Sequence, residues 1–273
     1  MAFKIEVNDR VPTYPGRVKL TPVSGQANTY DLVRADLPIQ EGTPINKALF
    51  DNKAYCLSES VTVYVSKSGS DTSGDGSSAA PFYTVQKAVD SLPKILNGFH
   101  AQIDIASGTY NERVLIDGFT GGRLTLGISG RSVTLAGVSI MNSNIVRLAI
   151  SSLNYTSSVT GTRLYISNGS NVYIMNNLSI NAGSQMDYGI ALEYGSTLVA
   201  ENTSTITVSN CGRAAVMSTL GSHISFNAIA GANNTQFSLA ATFGGIITYS
   251  TSTITATQGE YQSKGGRIFD DTP

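Results

Sequence analysis

Apolar residues return along the second half of this chain at a fixed interval of 26 residues. A step of 26 from Val146 reaches Val172, Leu198 and Ile224, and the same step from Leu148 reaches Ile174, Ala200 and Phe226. A second strand keeps the interval in two series, Val138, Leu164, Ile190 and Val216, and beside it Ile140, Ile166 and Leu192. A third strand gives Ile180 and Ile206. Because the apolar residues of a segment lie two apart, each segment is predicted to be a β-strand with alternate side chains inward.

Strands that recur at one interval, separated by corners rich in Gly, Ser and Asn, predict an all-β parallel β-helix. We expect about six coils with three strands per coil, because like positions then stack into aliphatic columns. A β-sandwich also has frequent turns, but it gives no reason for apolar positions to keep one register over several repeats. The register is expected to extend upstream to Leu124 and Leu126, and downstream to Ile247 and Tyr249.

One helix is predicted, over residues 84–96. An apolar stripe of helical period begins at Val85 and runs to Leu96, Thr84 is placed to cap its start, and Pro93 should end or bend it early. The chain is expected to divide into an extended, proline-rich arm (1–60), the N-terminal module of the β-helix with this capping helix (61–130), and the coils with a C-terminal tail (131–273).

Composition removes several function classes. The formal net charge is −1 and charged residues make up 14% of the chain, so we expect neither nucleic acid nor an anionic membrane as a partner. The N-terminal sequence has no long apolar run, which predicts no signal peptide and no membrane span. The two cysteines and two histidines cannot assemble a zinc site, and we expect no metal and no cofactor.

The segment "VYVSKSGSDTSGDGSSAAPFYTVQKAVDSLP", followed by "IDIASGTYNERVLIDG", resembles the N-terminal module of pectate-lyase-like parallel β-helix proteins. The arm over residues 10–53 is similar to N-terminal segments of bacteriophage tail and appendage proteins. These resemblances imply a single-stranded, right-handed β-helix that forms a homotrimer and joins other tail or baseplate proteins through residues 1–60. They also imply a virion protein assembled in the cytoplasm of the bacterial host.

Candidate catalytic residues are few. Asp187 and Arg213 lie 26 residues apart and are expected to stack in adjacent coils, as a corner ion pair or as half of a glycan site. Glu193 and Glu201 flank the corner "YGS" and are the other candidates if the protein is an enzyme. Asp71 and Asp75, in a Gly/Ser loop, suit turns better than a calcium site. Glu112 is expected to bind backbone groups of the first coil.

Tyrosine and amide side chains are the candidates for binding a neutral sugar or a second subunit. Tyr173 alternates with inward residues and should face outward, and Tyr249 and Asn227 are the other candidates. Tyr188 and Tyr194 are expected only to cover corners. His100 and His223 receive no function.

The sequence therefore predicts a non-enzymatic phage virion structural protein, a tail-fibre or tail-tip component that contributes to recognition of a host-surface glycan. One alternative is a tailspike depolymerase that cleaves a capsular polysaccharide. The scarcity of paired carboxylates argues against it, since a glycosidase needs two. The other alternative is a head fibre or decoration protein on the same fold.

Overall fold

A computed structural model describes residues 11–12, 18–25, 30–34, 38–40, 56–183, 188–201 and 203–271. The chain divides into two compact units, Met1–Ala54 and Tyr55–Pro273. In the first unit, β1 (Val11–Pro12) pairs antiparallel with β4 (Pro38–Gln40), and β2 (Val18–Pro22) pairs antiparallel with β3 (Tyr30–Arg34). Residues 56–60, predicted to be part of the arm, belong to the second unit instead: Cys56 bridges Ile95, and Leu57 is buried in the core. Most of the rest of the predicted arm lies outside the described residues. The predicted module over 61–130 and the coils that follow it belong to the second unit.

The described part of the second unit contains one helix and a single sheet of nineteen strands, whose pairings between strands are parallel. The elements are β5 (Val61–Val65), α1 (Val85–Ser91), β6 (His100–Ile105), β7 (Gly108–Asp117), β8 (Arg123–Gly127), β9 (Val133–Met141), β10 (Val146–Ala149), β11 (Ser152–Asn154), β12 (Leu164–Ser167), β13 (Asn171–Ile174), β14 (Leu178–Asn181), β15 (Tyr188–Leu192), β16 (Thr197–Ala200), β17 (Thr205–Ser209), β18 (Ala214–Ser218), β19 (His223–Asn234), β20 (Phe237–Thr242), β21 (Ile246–Ala256), β22 (Tyr261–Ser263) and β23 (Arg267–Asp270).

The predicted parallel β-helix is confirmed. One column of inward residues runs through the whole stack: Val61, Ala101, Leu124, Val146, Val172, Leu198, Ile224, Ile247 and Ile268. The helix has about seven turns rather than the expected six. Strands β5 and β6 at one end and β23 at the other extend the column beyond the region where the repeat is visible in the sequence.

A second column is also confirmed, in which Val138, Leu164, Ile190 and Val216 lie in register. The predicted pairing of Ile180 with Ile206 is wrong by two residues, which is one step between inward-facing side chains. Ile180 pairs with Val208, and Leu178 pairs with Ile206. The corner between β16 and β17 is longer than the corner between β13 and β14, and the side chain of Asn177 accepts a 2.8 Å hydrogen bond from the Thr205 amide at this point.

The helix α1 is shorter than the predicted 84–96. Thr84 caps it as expected, because its hydroxyl accepts a hydrogen bond from the Lys87 amide. The helix ends at Ser91 and Leu92 is extended, the conformation that a following proline imposes. Ile95, beyond Pro93, instead forms parallel bridges with residues before and after the helix.

Two carboxylates hold the start of α1 against the stack. Glu112 accepts hydrogen bonds from the amides of Val85 and Gln86 at 2.9 and 3.0 Å. It binds backbone groups as expected, but those of the helix and not those of the first coil. Asp71 accepts hydrogen bonds from the amides of Tyr83 and Thr84 and from the Thr84 hydroxyl. The loop aspartate therefore fixes the segment that leads into the helix, whereas Glu112 binds amides of the first helical turn.

We expect Asp71→Asn to destabilise the protein at neutral pH and not in acid. Burial by itself would raise the pKa of Asp71, but the hydrogen bonds from Thr84 and Tyr83 outweigh it and lower the pKa. A lowered pKa gives stability that is present above the unfolded-state pKa of about 3.9 and is lost as the pH falls through the folded-state pKa. Because the carboxylate is mostly solvated, the loss at pH 7 is about 1 kcal/mol.

Urea unfolding of wild type and variant from pH 7 to pH 3 measures this difference, which should shrink in acid. Asp75→Asn is the control, since Asp75 accepts a hydrogen bond from Ser77 in its own loop and should matter less. A stability difference that stays constant with pH would contradict the assignment.

Candidate functional site: an aromatic groove

The largest cavity described is an open groove of about 680 Å³ on the outer face of β15, β18, β20 and β22. Its volume falls within the range of about 300–1,000 Å³ that small-molecule sites occupy. We call it the aromatic groove, and it is lined by Tyr188, Glu193, Arg213, Ala214, Met217, Thr219, Leu220, Gln236, Phe237, Ala240, Thr242, Phe243 and Tyr261.

The groove arises because large and small side chains alternate between neighbouring turns. Tyr188, Ala214 and Phe237 occupy equivalent positions in three successive strands, so the alanine leaves a gap between two rings. Three residues further along β20, Ala240 pairs with Tyr261 of the neighbouring strand β22. The rings of Phe237 and Tyr261 stack with centroids 4.7 Å apart, and Tyr261 is 42% exposed. The site therefore offers solvent-accessible aromatic faces next to a shallow depression.

Two further groove residues, Leu220 and Phe243, come from what we call the corner column. This is a set of residues that follow the same strand column in successive turns and have positive φ of 47–57°: Asn168, Tyr194, Leu220, Phe243 and Lys264. The amide of the glycine that follows each of the first four donates to the carbonyl of the next member, as from Gly221 to Phe243 at 3.2 Å. Main-chain hydrogen bonds thus hold the column from turn to turn.

Large apolar side chains in the corner column are unfavourable for two reasons, the backbone conformation and the exposure to solvent. Bulky residues rarely adopt positive φ, because Cβ crowds the following carbonyl. Leu220 and Phe243 are also substantially exposed, and the Lys264 ammonium lies 4.1 Å from the Phe243 ring centroid. Strained backbone of this kind is concentrated at functional sites. The combination of strain and exposure beside a groove makes this corner a candidate part of the site.

The polar groups of the groove include both charges and neutral hydrogen-bonding groups. The carboxylate of Glu193 is oriented by Tyr165, whose hydroxyl donates a hydrogen bond to its Oε2 at 2.9 Å. Burial first, and then the hydrogen bond to and charge of Glu193, raise the pKa of Tyr165, so the phenol keeps its proton and remains a donor. The Thr242 hydroxyl donates to the Thr219 hydroxyl at 2.8 Å. Arg213, at the exposed start of β18, contributes a positive charge.

Of the four candidates for catalysis, the structure brings two together. Glu193 and Arg213 both line the aromatic groove. Glu201 lines a separate cavity of about 460 Å³ with Val199, so the predicted pair of glutamates does not form one site. Asp187 lies outside the described residues, and its stacking on Arg213 stays a prediction.

The tyrosine assignments need correction. Tyr173 lies between buried neighbours and faces outward as expected. Tyr249 is only 9% exposed and its hydroxyl donates to Glu260 at 2.9 Å, so its ring is not available to a ligand. It occupies an inward position of β21, paired with Phe226. Tyr188, expected only to cover a corner, lines the groove instead, whereas Asn227 is half-buried and lines none of the described cavities.

Phe237 and Tyr261 were missed from the sequence. They lie beyond the point where the interval of 26 changes to 23, so a step of 26 does not align them with Ala214 and Ala240. Counting the shorter interval from Ala214 reaches Phe237 and would have found it.

The described ranges contain neither a cluster of potential metal ligands nor a helix suited to crossing a membrane. No group of three or more His, Cys, Asp or Glu side chains converges there, and no helix there has the length and apolarity to cross a bilayer. The two cysteines, Cys56 and Cys211, are free thiols. No family model, curated protein or solved structure matches this chain.

Proposed function

We propose that this protein is a structural component of a bacteriophage virion, a tail-fibre or tail-tip protein, and that its aromatic groove binds a glycan of the host surface. The observation that carries the binding function is the stacked pair Phe237 and Tyr261 beside a groove lined with hydroxyl and amide groups. The assignment to a virion rests on the resemblance of the N-terminal arm, and the homotrimer is part of the same proposal.

The chemistry of the groove suits a neutral sugar. Saccharide rings have apolar C–H faces that pack on aromatic rings, and hydroxyls that both donate and accept hydrogen bonds. Phe237, Phe243 and Tyr261 supply the first kind of surface. Gln236, Thr219 and Thr242 supply the second, because amides and hydroxyls also act as donors and acceptors. Glu193 and Arg213 have opposite charges, so the groove favours neither an anion nor a cation.

We expect Tyr261→Ala to lower affinity for a host-surface oligosaccharide about tenfold, since an aromatic stacking contact contributes about 1 kcal/mol beyond the area that it buries. A glycan array identifies the ligand, and titration calorimetry measures its affinity. Phe269→Ala is the matched control, because Phe269 is an exposed aromatic residue on β23, away from the groove. Equal affinities for the two variants would contradict glycan binding at the groove.

The same variants test the other occupant of such a surface, a second copy of the chain. If Tyr261→Ala lowers the molar mass measured by light scattering and leaves glycan affinity unchanged, the groove is a subunit interface instead.

A depolymerase is the second candidate, because Glu193 and Arg213 converge in one groove. Among the described residues, Glu193 is the single carboxylate that lines it, whereas glycoside hydrolysis uses two, about 5–9.5 Å apart. We therefore propose binding without cleavage. Incubation with the bound polysaccharide, followed by assays for new reducing ends and unsaturated uronate, tests this. Cleavage by the wild type that is lost in Glu193→Gln would establish the enzyme.

A further inference from the structure

A second cavity, of about 280 Å³, lies on a different strand column from the aromatic groove, on the outer face of β6, β8 and β10. Three basic side chains line it: His100, Arg123 and Arg147. His100 and Arg123 occupy equivalent positions in neighbouring strands, and Arg147 lies one turn further along, in register with Thr125. The parallel register therefore brings two arginines and a histidine from three successive turns to one cavity.

No carboxylate offsets this charge. Within the part of the chain that the structure describes, no acidic side chain lines the cavity, and neither arginine forms an ion pair with another residue. Burial, and after it the charges of Arg123 and Arg147, lower the pKa of His100. The positive charges of the two arginines therefore reach the His100 ring. Its Nε2 lies 2.8 Å from the Thr125 hydroxyl.

The two guanidinium groups also have unused donors. The Nε atom of Arg123 and the Nε atom of Arg147 are both buried, and neither has a hydrogen-bond partner among the described residues. Buried polar atoms are nearly always paired, and a charged donor left unpaired is especially unfavourable. The described protein therefore supplies no acceptor for the Nε atom of either arginine at this cavity.

We propose that the cavity of His100, Arg123 and Arg147 is a binding site for a small oxyanion, the carboxylate of an acidic sugar. Guanidinium groups bind carboxylates through paired, charge-assisted hydrogen bonds. Arg147 also pairs with outward-facing Tyr173 on the next strand, so an aromatic side chain neighbours one of the two arginines on the same face of the sheet. This anion site is separate from the aromatic groove and does not depend on the function proposed for it.

Titration calorimetry of the full chain at constant ionic strength tests the proposal with three probes: D-glucuronate, D-glucose and sulfate. We expect glucuronate to bind at least tenfold more tightly than glucose, and sulfate to compete with it. Arg147→Gln should lower the affinity for glucuronate about tenfold. Arg267→Gln, which removes an exposed arginine on β23, should not.

Thermal melting separates binding from a structural function. Because the buried Nε of Arg147 has no partner in the described protein, its removal should leave the melting temperature unchanged or raise it. Glucuronate binding that survives in Tyr261→Ala would show that the anion site is independent of the groove. Binding of sulfate without glucuronate would identify a site for free inorganic oxyanions and overturn the acidic sugar. Binding of neither anion, or equal affinities for Arg147→Gln and Arg267→Gln, would overturn the site itself.

Discussion

Leu198→Asp is expected to prevent folding. Leu198 is fully buried in the longest column of the stack, between Val172 and Ile224. The substitution removes the packing of a core leucine, worth about 2–5 kcal/mol, and places a carboxylate where no cation can reach it, which adds a further desolvation cost of several kcal/mol. The sum is comparable with the total stability of an ordinary domain, about 5–15 kcal/mol. Circular dichroism and solubility after expression measure the outcome.

Thr197→Asp is the matched control, one residue away on the same strand. Thr197 points outward and is partly solvent-exposed, so the same carboxylate should change the free energy of unfolding by less than about 1 kcal/mol. If both variants express and melt alike, the inward register of β16 is wrong.

Gly231→Ala is expected to lower the free energy of unfolding by roughly 3 kcal/mol. Gly231 lies at a register shift in β19 and has φ of +147°, a region that side chains rarely adopt. An added Cβ would lie 2.7 Å from the carbonyl carbon of Val208 and closer still to its oxygen. Because the clashing atoms belong to the main chain of the neighbouring turn, the two turns would have to separate to remove the clash. Overpacking of this kind costs about 1–3 kcal/mol in addition to the dihedral strain.

Gly195→Ala separates the clash from the strain. Gly195 has φ of +68° with nothing within 4 Å of an added Cβ, so only the dihedral cost of about 1 kcal/mol remains. Urea unfolding of both variants measures the two terms. Equal losses would show that the Val208 carbonyl does not restrict position 231.

The core of the fold could be predicted because its signal is local and repeated. The Val146 column keeps a constant spacing, and each match strengthens the assignment of the others. The pairing of Ile180 was missed because the step of 26 was kept through a longer corner. A step of 28 carries Leu178 and Ile180 to Ile206 and Val208, whereas a step of 26 from Leu178 reaches Ser204. The first turns were assigned to the β-helix through the resemblance of residues 61–130 but were not counted among the six coils, because β5 and β6 are separated by the loop and helix and do not keep the interval.

The candidate sites were less predictable, since they depend on outward positions in turns of changed spacing. Glu193 and Arg213 were identified from the sequence, but Phe237 and Tyr261 required the register after it changes. Arg163 shows the limit most clearly. It is fully buried and donates to the carbonyls of Ala136, Val159 and Gly161, yet the sequence shows only a charge next to an inward leucine.

The corner column has a consequence for how this protein can change over generations. Its main-chain hydrogen bonds are made whatever the side chain, and in this one chain the position already holds an amide, a phenol, an aliphatic group, a phenyl ring and an ammonium. Point substitutions at these corners can therefore alter what the surface displays while the aliphatic columns stay untouched. Adaptation to a new binding partner would follow a short mutational path, with no compensating replacement in the interior.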